Sequence, residues 1–599
     1  MIFDGDCGFC RTWIRRWRRH TGDTVIYVPF QEAAAWYPDI PLEEFSRAVH
    51  LVEPDGRISR GAEAVCRALA AAGHRVPLFL YQHLPGCAVL SEAAYGQVAR
   101  HREIFSRLTR LLWGADPAAS TWWLSRWLFL KGLALIYLAA FLSLLVQVDG
   151  LVGPSGILPA QDYLAAARQH LGTDAYRLLP TLAWLHPGGA TPEILCAVGA
   201  LLSLLLLAGL APLPALAGLW ALYLSITVIG QDFLSFQWDS LLLETGFLAI
   251  FLAPRGLRPG PGLAAPPAPA ALFLLRWTLF RLLFMAGAVK LLSGDLLWRH
   301  LTALTVHYET QPLPHALSWY AHQLPAGAHR AACLATLVIE LCVPFLIWMP
   351  RRLKQAAAAA LILFQVLILL TGNYGFFNLL TILLCLLLLD DRALERWLPA
   401  RLAGRLPDAG PPDRSFSYRL GMLAAVAATG ITLVLMTTRL LGPEAVPGPL
   451  LTAARWSSPL RTFNNYGLFA VMTPDRQEIQ IEGSNDGRTW QPYTFRWKPG
   501  NPASPPLLAA PHMPRLDWQM WFAALAAPSH PPWFQSLLQA LLEGRPQVLA
   551  LLAHDPIAGK PPRYVRAVLY RYRFTTHRGT DWWQREEQGL YVPPVALRP

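Results

Sequence analysis

Charge is what this sequence has least of. Asp, Glu, Lys and Arg make up 15% of its 599 residues, where a soluble globular domain carries about 25%. Lysine is nearly missing, at five residues, so arginine carries the net charge of +12. Eight cysteines in 599 residues are too sparse for a disulfide scaffold. The apolar core of a cleavable signal peptide is missing between Met1 and Arg15, so the N-terminus is expected to begin in the cytoplasm. What is abundant is hydrophobic: 54% of the residues, with a mean hydropathy of +0.31. That balance excludes a single compact soluble domain, a disordered chain, a collagen-like fibre and a coiled coil. A polytopic membrane protein with soluble parts attached is expected, with the lipid bilayer as its first partner.

The positive charge does not point to nucleic acid. The arginines are spread along the chain and recur at the ends of apolar runs, as in membrane proteins. A nucleic-acid surface needs them clustered among exposed aromatics. The nearest cluster, Arg15, Arg16, Arg18 and Arg19, sits on a short helical pattern with another use, given below.

Three regions follow from patterning. Residues 1–126 alternate short β-like runs with helical patterns, as in an α/β domain: Met1–Phe3 and Thr24–Phe30 as strands, and Cys10–His20, Ala62–Ala72 and Glu92–Leu112 as helices. Asp55-Gly56 makes a hairpin between Ala48–Val52 and Ile58. Residues 127–441 are dominated by apolar runs, giving about nine spans at 127–148, 194–210, 214–230, 238–254, 272–292, 333–350, 356–371, 375–390 and 420–441. Residues 442–599 read as an α+β domain with β-sandwich-like strands. There Glu478–Gly483 alternates as EIQIEG, Thr489–Trp497 is its return strand, and Tyr564–Phe574 puts Tyr564, Val568, Tyr570, Tyr572 and Phe574 on one face. Trp518, Trp521 and Phe522 mark one face of a helix.

Loop charge orients the spans. With a cytoplasmic N-terminus, the inner loops carry eleven Lys/Arg: Arg255, Arg258, Arg351, Arg352, Lys354, Arg392, Arg396, Arg401, Arg405, Arg414 and Arg419. The outer loops carry four, Arg168, Arg177, Arg299 and Arg330. This bias is the positive-inside pattern, and it puts residues 442–599 on the extracytoplasmic side.

Cys7-Gly8-Phe9-Cys10, after a short strand and before a helix, is the strongest chemical signal. A helix N-terminus stabilises a thiolate, so Cys7 can attack a disulfide and Cys10, one turn on, can resolve it. Arg11, Arg15 and Arg16 would add positive potential. Half a zinc site and inert structure remain as alternatives; Cys66 and Cys87 do not form a second CxxC. The segment DGDCGFC (Asp4–Cys10) resembles the signature of the DCC family of thioredoxin-like thiol–disulfide oxidoreductases. The resemblance implies Cys7 as nucleophile, Cys10 as resolving thiol and a thiol redox partner.

The remainder resembles the lipase maturation factor family through FQWDSLLLETGFLAIFLAP (Phe236–Pro254), HYETQPLPHALSWYAHQLP (His307–Pro325), FNNYGLFAVMTPDRQEIQIEGSNDG (Phe463–Gly487), PHMPRLDWQMWFAAL (Pro511–Leu525) and Trp582-Trp583. The resemblance implies a membrane factor that helps secreted lipases fold or assemble, with the C-terminal domain contacting the client. It implies a bacterial-type inner membrane here and the endoplasmic reticulum for eukaryotic relatives. Asn464, Tyr466, Gly467, Arg515, Asp517 and Trp518 are the candidate client-contact positions. The rival function is a membrane thiol–disulfide oxidoreductase.

Asp239, Glu244, Arg281, Lys290 and Glu340 fall inside candidate spans, where Asp, Lys and Arg cost roughly 2.5–3.5 kcal/mol each at mid-bilayer. Pairing between spans, Asp239 or Glu244 with Arg281 or Lys290, is one expectation; a polar cavity is the other. MAGAVKLLSGDLLW (Met285–Trp298) also resembles the Lys-bearing segment of vitamin K-dependent carboxylase relatives, which would make Lys290 a catalytic base. His307, His315 and His322 lack metal-ligand spacing. A Gly-rich phosphate loop, a GxSxG elbow and an HExxH helix are also absent. Neither a metal nor a cofactor is implied, and the chain is not expected to be a lipase itself.

Overall fold

Two-residue strands hold only as part of a larger sheet, and the N-terminal runs meet that condition. In the computed structural model β1 (Ile2–Phe3) pairs in parallel with β2 (Val28–Pro29) and antiparallel with β3 (His50–Val52), which pairs antiparallel with β4 (Ile58–Arg60). The sheet order is β2-β1-β3-β4, with α1 (Gly8–Thr21) connecting the parallel pair. This is the arrangement of a small thioredoxin-like domain. The turn at Gly56 has φ 83°, the conformation expected of Asp-Gly. Two elements are shorter than their patterns. The run at Thr24–Phe30 contributes two strand residues because Pro29 has no N–H to extend the ladder. The helical pattern after Glu92 breaks at His101, so that α2 (Arg102–Trp113) stands as a separate helix.

The described residues are 1–114, 120–259, 266–395, 397, 416–526, 529–557, 560–576, 579 and 581–597. Arg396, Arg401, Arg405 and Arg414, used in the loop charge count, lie outside them. The chain forms two units. One comprises Met1–Trp122, Trp348–Ala356 and Asp390–Arg419; the other comprises Trp123–Ile347, Ala357–Leu389 and Leu420–Pro599.

Among the described residues, seven helices are long and apolar enough to cross a membrane: Trp123–Leu145, Thr191–Ala208, Pro212–Ile229, Pro269–Leu292, Ala326–Trp348, Arg351–Leu369 and Tyr418–Leu441. The other two expected spans are short helices, α3 (Gln237–Leu252, 16 residues) and, further on, Phe377–Leu386 with 10 residues. At ~1.5 Å per residue they rise about 24 and 15 Å, less than the ~30 Å of a bilayer core. Each nevertheless returns the chain to the level it left. Ala211, ahead of Pro212–Ile229, donates its N–H to Leu257 O beyond α3 at 2.8 Å. Arg351 meets Asp390 at 2.7 Å. Both short helices are buried on most sides. An apolar run of such length reads the same in a buried core helix and in a crossing. We number the helices that matter below α4 (Pro269–Leu292), α5 (Ala326–Leu341), α6 (Arg351–Leu369) and α7 (Phe377–Leu386).

The C-terminal strands form one antiparallel sheet, β6-β5-β7-β8: β5 (Arg476–Ser484), β6 (Gln491–Pro492), β7 (Tyr564–Phe574) and β8 (Trp583–Val595). Among the described residues this is the one sheet of the region, and helices α8 (Arg515–Leu525) and Pro532–Leu542 pack on it where a sandwich would place a second. Ile479, Ile481, Val565 and Ala567 are buried on one face. On the other, Tyr572, Phe574 and Trp583 cluster with Trp319. The β6 strand is short, but the chain beyond it still bonds: the Tyr493 N–H donates to Ile481 O at 2.9 Å, and Thr494 bridges His554.

Close helix contact makes one glycine indispensable. A Cβ at Gly199 would stand 2.5 Å from the Phe141 ring, between Thr191–Ala208 and Trp123–Leu145. Gly199→Val is therefore expected to destabilise the purified chain in detergent by about 1–3 kcal/mol, read as a lower melting temperature. An unchanged melt would contradict this packing.

Candidate functional site

Cys7 is the N-cap of α1, and its Sγ accepts the Cys10 N–H at 3.2 Å. A sulfur placed there faces the free N–H groups and the positive end of the helix dipole. The Cys10 thiol is pushed up to about 12, first by burial and then by Cys7 beside it. The cation whose field acts on Cys10 is Arg102 of α2, which pairs with Asp4 at 3.3 Å. Gln31 ties the loop by donating to Asp4 at 3.2 Å and Asp6 at 3.1 Å. Of the arginines expected to serve the thiols, Arg16 instead lies 5.4 Å from the rings of both Trp13 and Trp113. Arg11 and Arg15 are exposed. A cavity of about 50 Å³ beside Cys10 is lined by Phe9, Trp13, Phe45, Tyr95 and Arg102. Among the described residues no group of three or more His, Cys, Asp or Glu is placed to hold a metal ion.

The second constellation lies in the other unit, where every charge expected inside the spans is paired. Arg281 of α4 pairs with Glu244 of α3, and Lys290 pairs with Glu340 of α5 at 2.7 Å. Asp239 finds its partner outside the spans: Arg515 of α8 grips it with two bonds of 2.6 and 2.8 Å, and Tyr223 donates to it at 2.5 Å. The Arg515 N–H donates to Gln147 Oε1 at 2.9 Å. Glu244 also accepts from the Asn464 N–H at 3.1 Å and the Tyr466 hydroxyl at 2.8 Å, while Arg281 donates to Asn464 O at 2.8 Å. Removal of one partner of such a pair leaves an uncompensated buried charge.

The six positions expected to meet a client are thus interior or half-buried groups bonded within the chain. Gly467 donates its N–H to Gln237 Oε1 at 3.2 Å, and a Cβ on it would meet Val289 at 3.0 Å, with φ +153°. The Trp518 ring lies edge-on to Trp238 at 4.7 Å. Asp517 accepts the Trp497 and Lys498 N–H groups, both at 2.9 Å, and burial pushes its carboxyl up to about 6. The His307–Pro325 segment is held by the C-terminal region as well. Arg476 donates to the carbonyls of Glu309 and Pro312 at 2.7 and 2.9 Å, and Trp319 Nε1 donates to Thr575 Oγ1 at 3.2 Å. Lys290, considered as a base, has its ammonium held by Glu340 and lies 5.2 Å from the Trp298 ring.

The Asp239–Arg515 pairing was not anticipated, although both residues were singled out. Arg276 and Lys131 also fall inside the expected spans, so a count of intramembrane charges carries no signal for it.

Helices of membrane-crossing length, locked to a C-terminal sheet and accompanied by a thioredoxin-like domain, define an integral membrane protein with a thiol–disulfide oxidoreductase-like part. Family models agree: lipase maturation factor transmembrane domain over residues 124–396, lipase maturation factor C-terminal domain over 462–593, and DCC1-like thiol-disulfide oxidoreductase over 1–108. Lipase maturation factor 2 of Gallus gallus is 37% identical over 584 residues, covering 79% of this chain and 81% of the relative. The Homo sapiens lipase maturation factor 2 is 37% identical over 590 residues, covering 79% and 83%. Lipase maturation factor 1 of Bos taurus is 36% identical over 517 residues, covering 80% and 90%. No solved structure matches the chain. The chain belongs to the lipase maturation factor family, and it is a membrane maturation factor.

Three outcomes follow. Asp239→Asn leaves Arg515 buried without its counter-charge and is expected to cost about 3–5 kcal/mol in a detergent melt. Adding Arg515→Met should recover part of that loss, and a double variant as unstable as the sum of the singles would contradict the pairing. Near neutral pH, iodoacetamide should modify Cys7 well before Cys10; equal rates at both sulfurs would contradict the geometry. The Asp517 carboxyl binds its proton more tightly folded, near 6, than unfolded, near ~3.9. Its contribution to stability is therefore complete below about pH 4 and is lost as pH rises through 6, on the order of 3 kcal/mol. Asp517→Asn should flatten stability across that window, and an unchanged pH profile would exclude the assignment.

Proposed function

We propose that this protein helps a secreted lipase, or another secreted protein, reach its folded assembly, and that the C-terminal sheet is the part that meets the client. Three working segments are assigned: 1–126 as the thioredoxin-like domain, 127–441 as the membrane region and 442–599 as the extracytoplasmic domain. The observation that carries the reading is that buried ion pairs immobilise the C-terminal region while one face of its sheet keeps an open cleft. The cleft measures about 320 Å³ and is lined by Tyr493, Phe495, Lys498, Tyr570, Tyr572 and Arg585 among others. Arg585 lies over the Tyr570 ring at 4.8 Å, which presents a cationic and aromatic surface suited to polypeptide. Asn464, Tyr466, Gly467, Arg515, Asp517 and Trp518 act as positioning residues that hold this surface in place.

The orientation reading is a cytoplasmic N-terminus. Support comes from the first unit, which groups the N-terminal domain with the Arg351–Lys354 turn and with Arg392 and Arg419, all assigned inside by charge. Cys7 would act as nucleophile and Cys10 as resolving thiol toward a cytoplasmic redox partner. The capped geometry at Cys7 also keeps alive the reading of a membrane thiol–disulfide oxidoreductase.

One comparison separates the two. With a lipase co-expressed, Tyr570→Ala combined with Arg585→Glu should lower secreted lipase activity several-fold at unchanged levels of this chain, while Cys7→Ser lowers it partially or not at all. Full lipase activity with the cleft variant, or complete loss with Cys7→Ser alone, would overturn the maturation reading in favour of the oxidoreductase.

A further inference from the structure

Helix α2 packs on its domain through one face only. On that face Thr109 is buried, Phe105 and Leu112 are half-buried, and the Trp113 ring meets Trp13 edge-on at 5.9 Å. Ile104, Leu108 and Leu111, spaced i, i+4 and i+7, line a second face, and they are 62%, 42% and 63% exposed. Arg107 and Arg110 are exposed on the same helix, against Glu103 as its single acid. An apolar stripe flanked by arginine is the pattern of a helix lying in the headgroup layer of a membrane. The place where α2 ends says what covers the stripe. A Cβ on Gly114, the next residue, would stand 3.8 Å from Arg352 Nε in the first turn of α6, a helix of membrane-crossing length. Ser120 donates to Asp390 at 2.8 Å, and Asp390, just beyond α7, holds Arg351 at 2.7 Å. Trp123 then opens the first helix of crossing length. The end of α2 is thus fixed against the start of a span, where arginine marks the headgroup level. At ~1.5 Å per residue α2 is about 18 Å long, so its whole stripe stays within that distance of the span's end.

We propose that α2 lies along the surface of the chain's own bilayer, with Ile104, Leu108 and Leu111 entering the acyl boundary and Arg107 and Arg110 on anionic phospholipid headgroups. A second copy of the chain fits the stripe less well. Three side chains on one helix cover far less than the about 800 Å² per partner of a stable protein interface. A helix already tethered to a span needs only a small gain to rest on the bilayer, because the tether keeps its effective concentration at the surface high. Each arginine near an anionic surface adds to that gain. Arg102 opens the same helix and is the cation beside Cys10, so the docked helix holds the thiol pair at the membrane surface.

The test uses the full chain in nanodiscs of phosphatidylcholine and phosphatidylglycerol in equal amounts. The photoreactive residue p-benzoylphenylalanine replaces Leu108, Ile104 or, as a control in the exposed turn between β3 and β4, Arg57. After illumination, mass spectrometry should find phospholipid attached at positions 104 and 108 severalfold more than at position 57. Arg107→Glu combined with Arg110→Glu should lower attachment at position 108 severalfold in these nanodiscs and change it little in phosphatidylcholine alone. Attachment of position 108 to protein in place of lipid, whether a second copy or the same chain, would overturn the proposal. So would equal lipid attachment at position 57, or attachment at 108 indifferent to the charge reversal. The substituted positions are exposed, and attachment with Arg107 and Arg110 intact decides the matter even where the charge variant fails to fold.

Discussion

The architecture of the membrane unit depends on a constraint from electrostatics: a charge taken out of water must meet its opposite with nearly all its hydrogen bonds made. Asp239 and Glu244 stand on one short helix, and neither is satisfied by helices alone. Asp239 takes Arg515, and Glu244 takes Arg281 together with Asn464 and Tyr466. Asp239 thus requires the C-terminal region to neutralise its charge, while Glu244, already matched by Arg281 of α4, requires it for the hydrogen bonds from Asn464 and Tyr466. Gly467 adds a steric version of the same demand, since its backbone lies against Val289 with no room for a side chain. The membrane helices and the C-terminal sheet form one unit for this reason.

Much of this was legible from residue pattern, and what was not has identifiable causes. The CxxC at a helix start, the hairpin at Asp55-Gly56, the strands at EIQIEG and Tyr564–Phe574 and the helices around each long apolar run all rest on local signals. Local signals are also what failed at Thr24–Phe30, where Pro29 has no N–H to extend the ladder, and at Thr489–Trp497, where Thr494 leaves β5 to pair with His554. The pairing of intramembrane charges was partly legible. Glu244 with Arg281 was among the expected matches, whereas Arg515 sits in a tryptophan-rich amphipathic string that reads equally well as exposed surface. Partners far apart in sequence leave no periodic trace. The same holds for Arg102, which replaces the arginines of α1 as the cation beside Cys10.

The two units carry different chemistries. In the first, a capped sulfur, a half-buried companion thiol and a largely apolar cavity stand together. In the second, buried ion pairs anchor a sheet that carries a polar and aromatic face. On the proposed reading, that face stays ordered while the client it meets is not. Buried ion pairs suit that need, because they are intolerant of partial opening: losing one partner strands the other in a medium that solvates it poorly.

Hydrogen–deuterium exchange of the unaltered full chain in detergent tests that central coupling most directly, because exchange reads local opening segment by segment. The account predicts that residues 462–468 and 515–525 exchange together with Gln237–Leu252, with matching protection and a shared response to denaturant. A C-terminal region that opens freely while Gln237–Leu252 stays protected would contradict it.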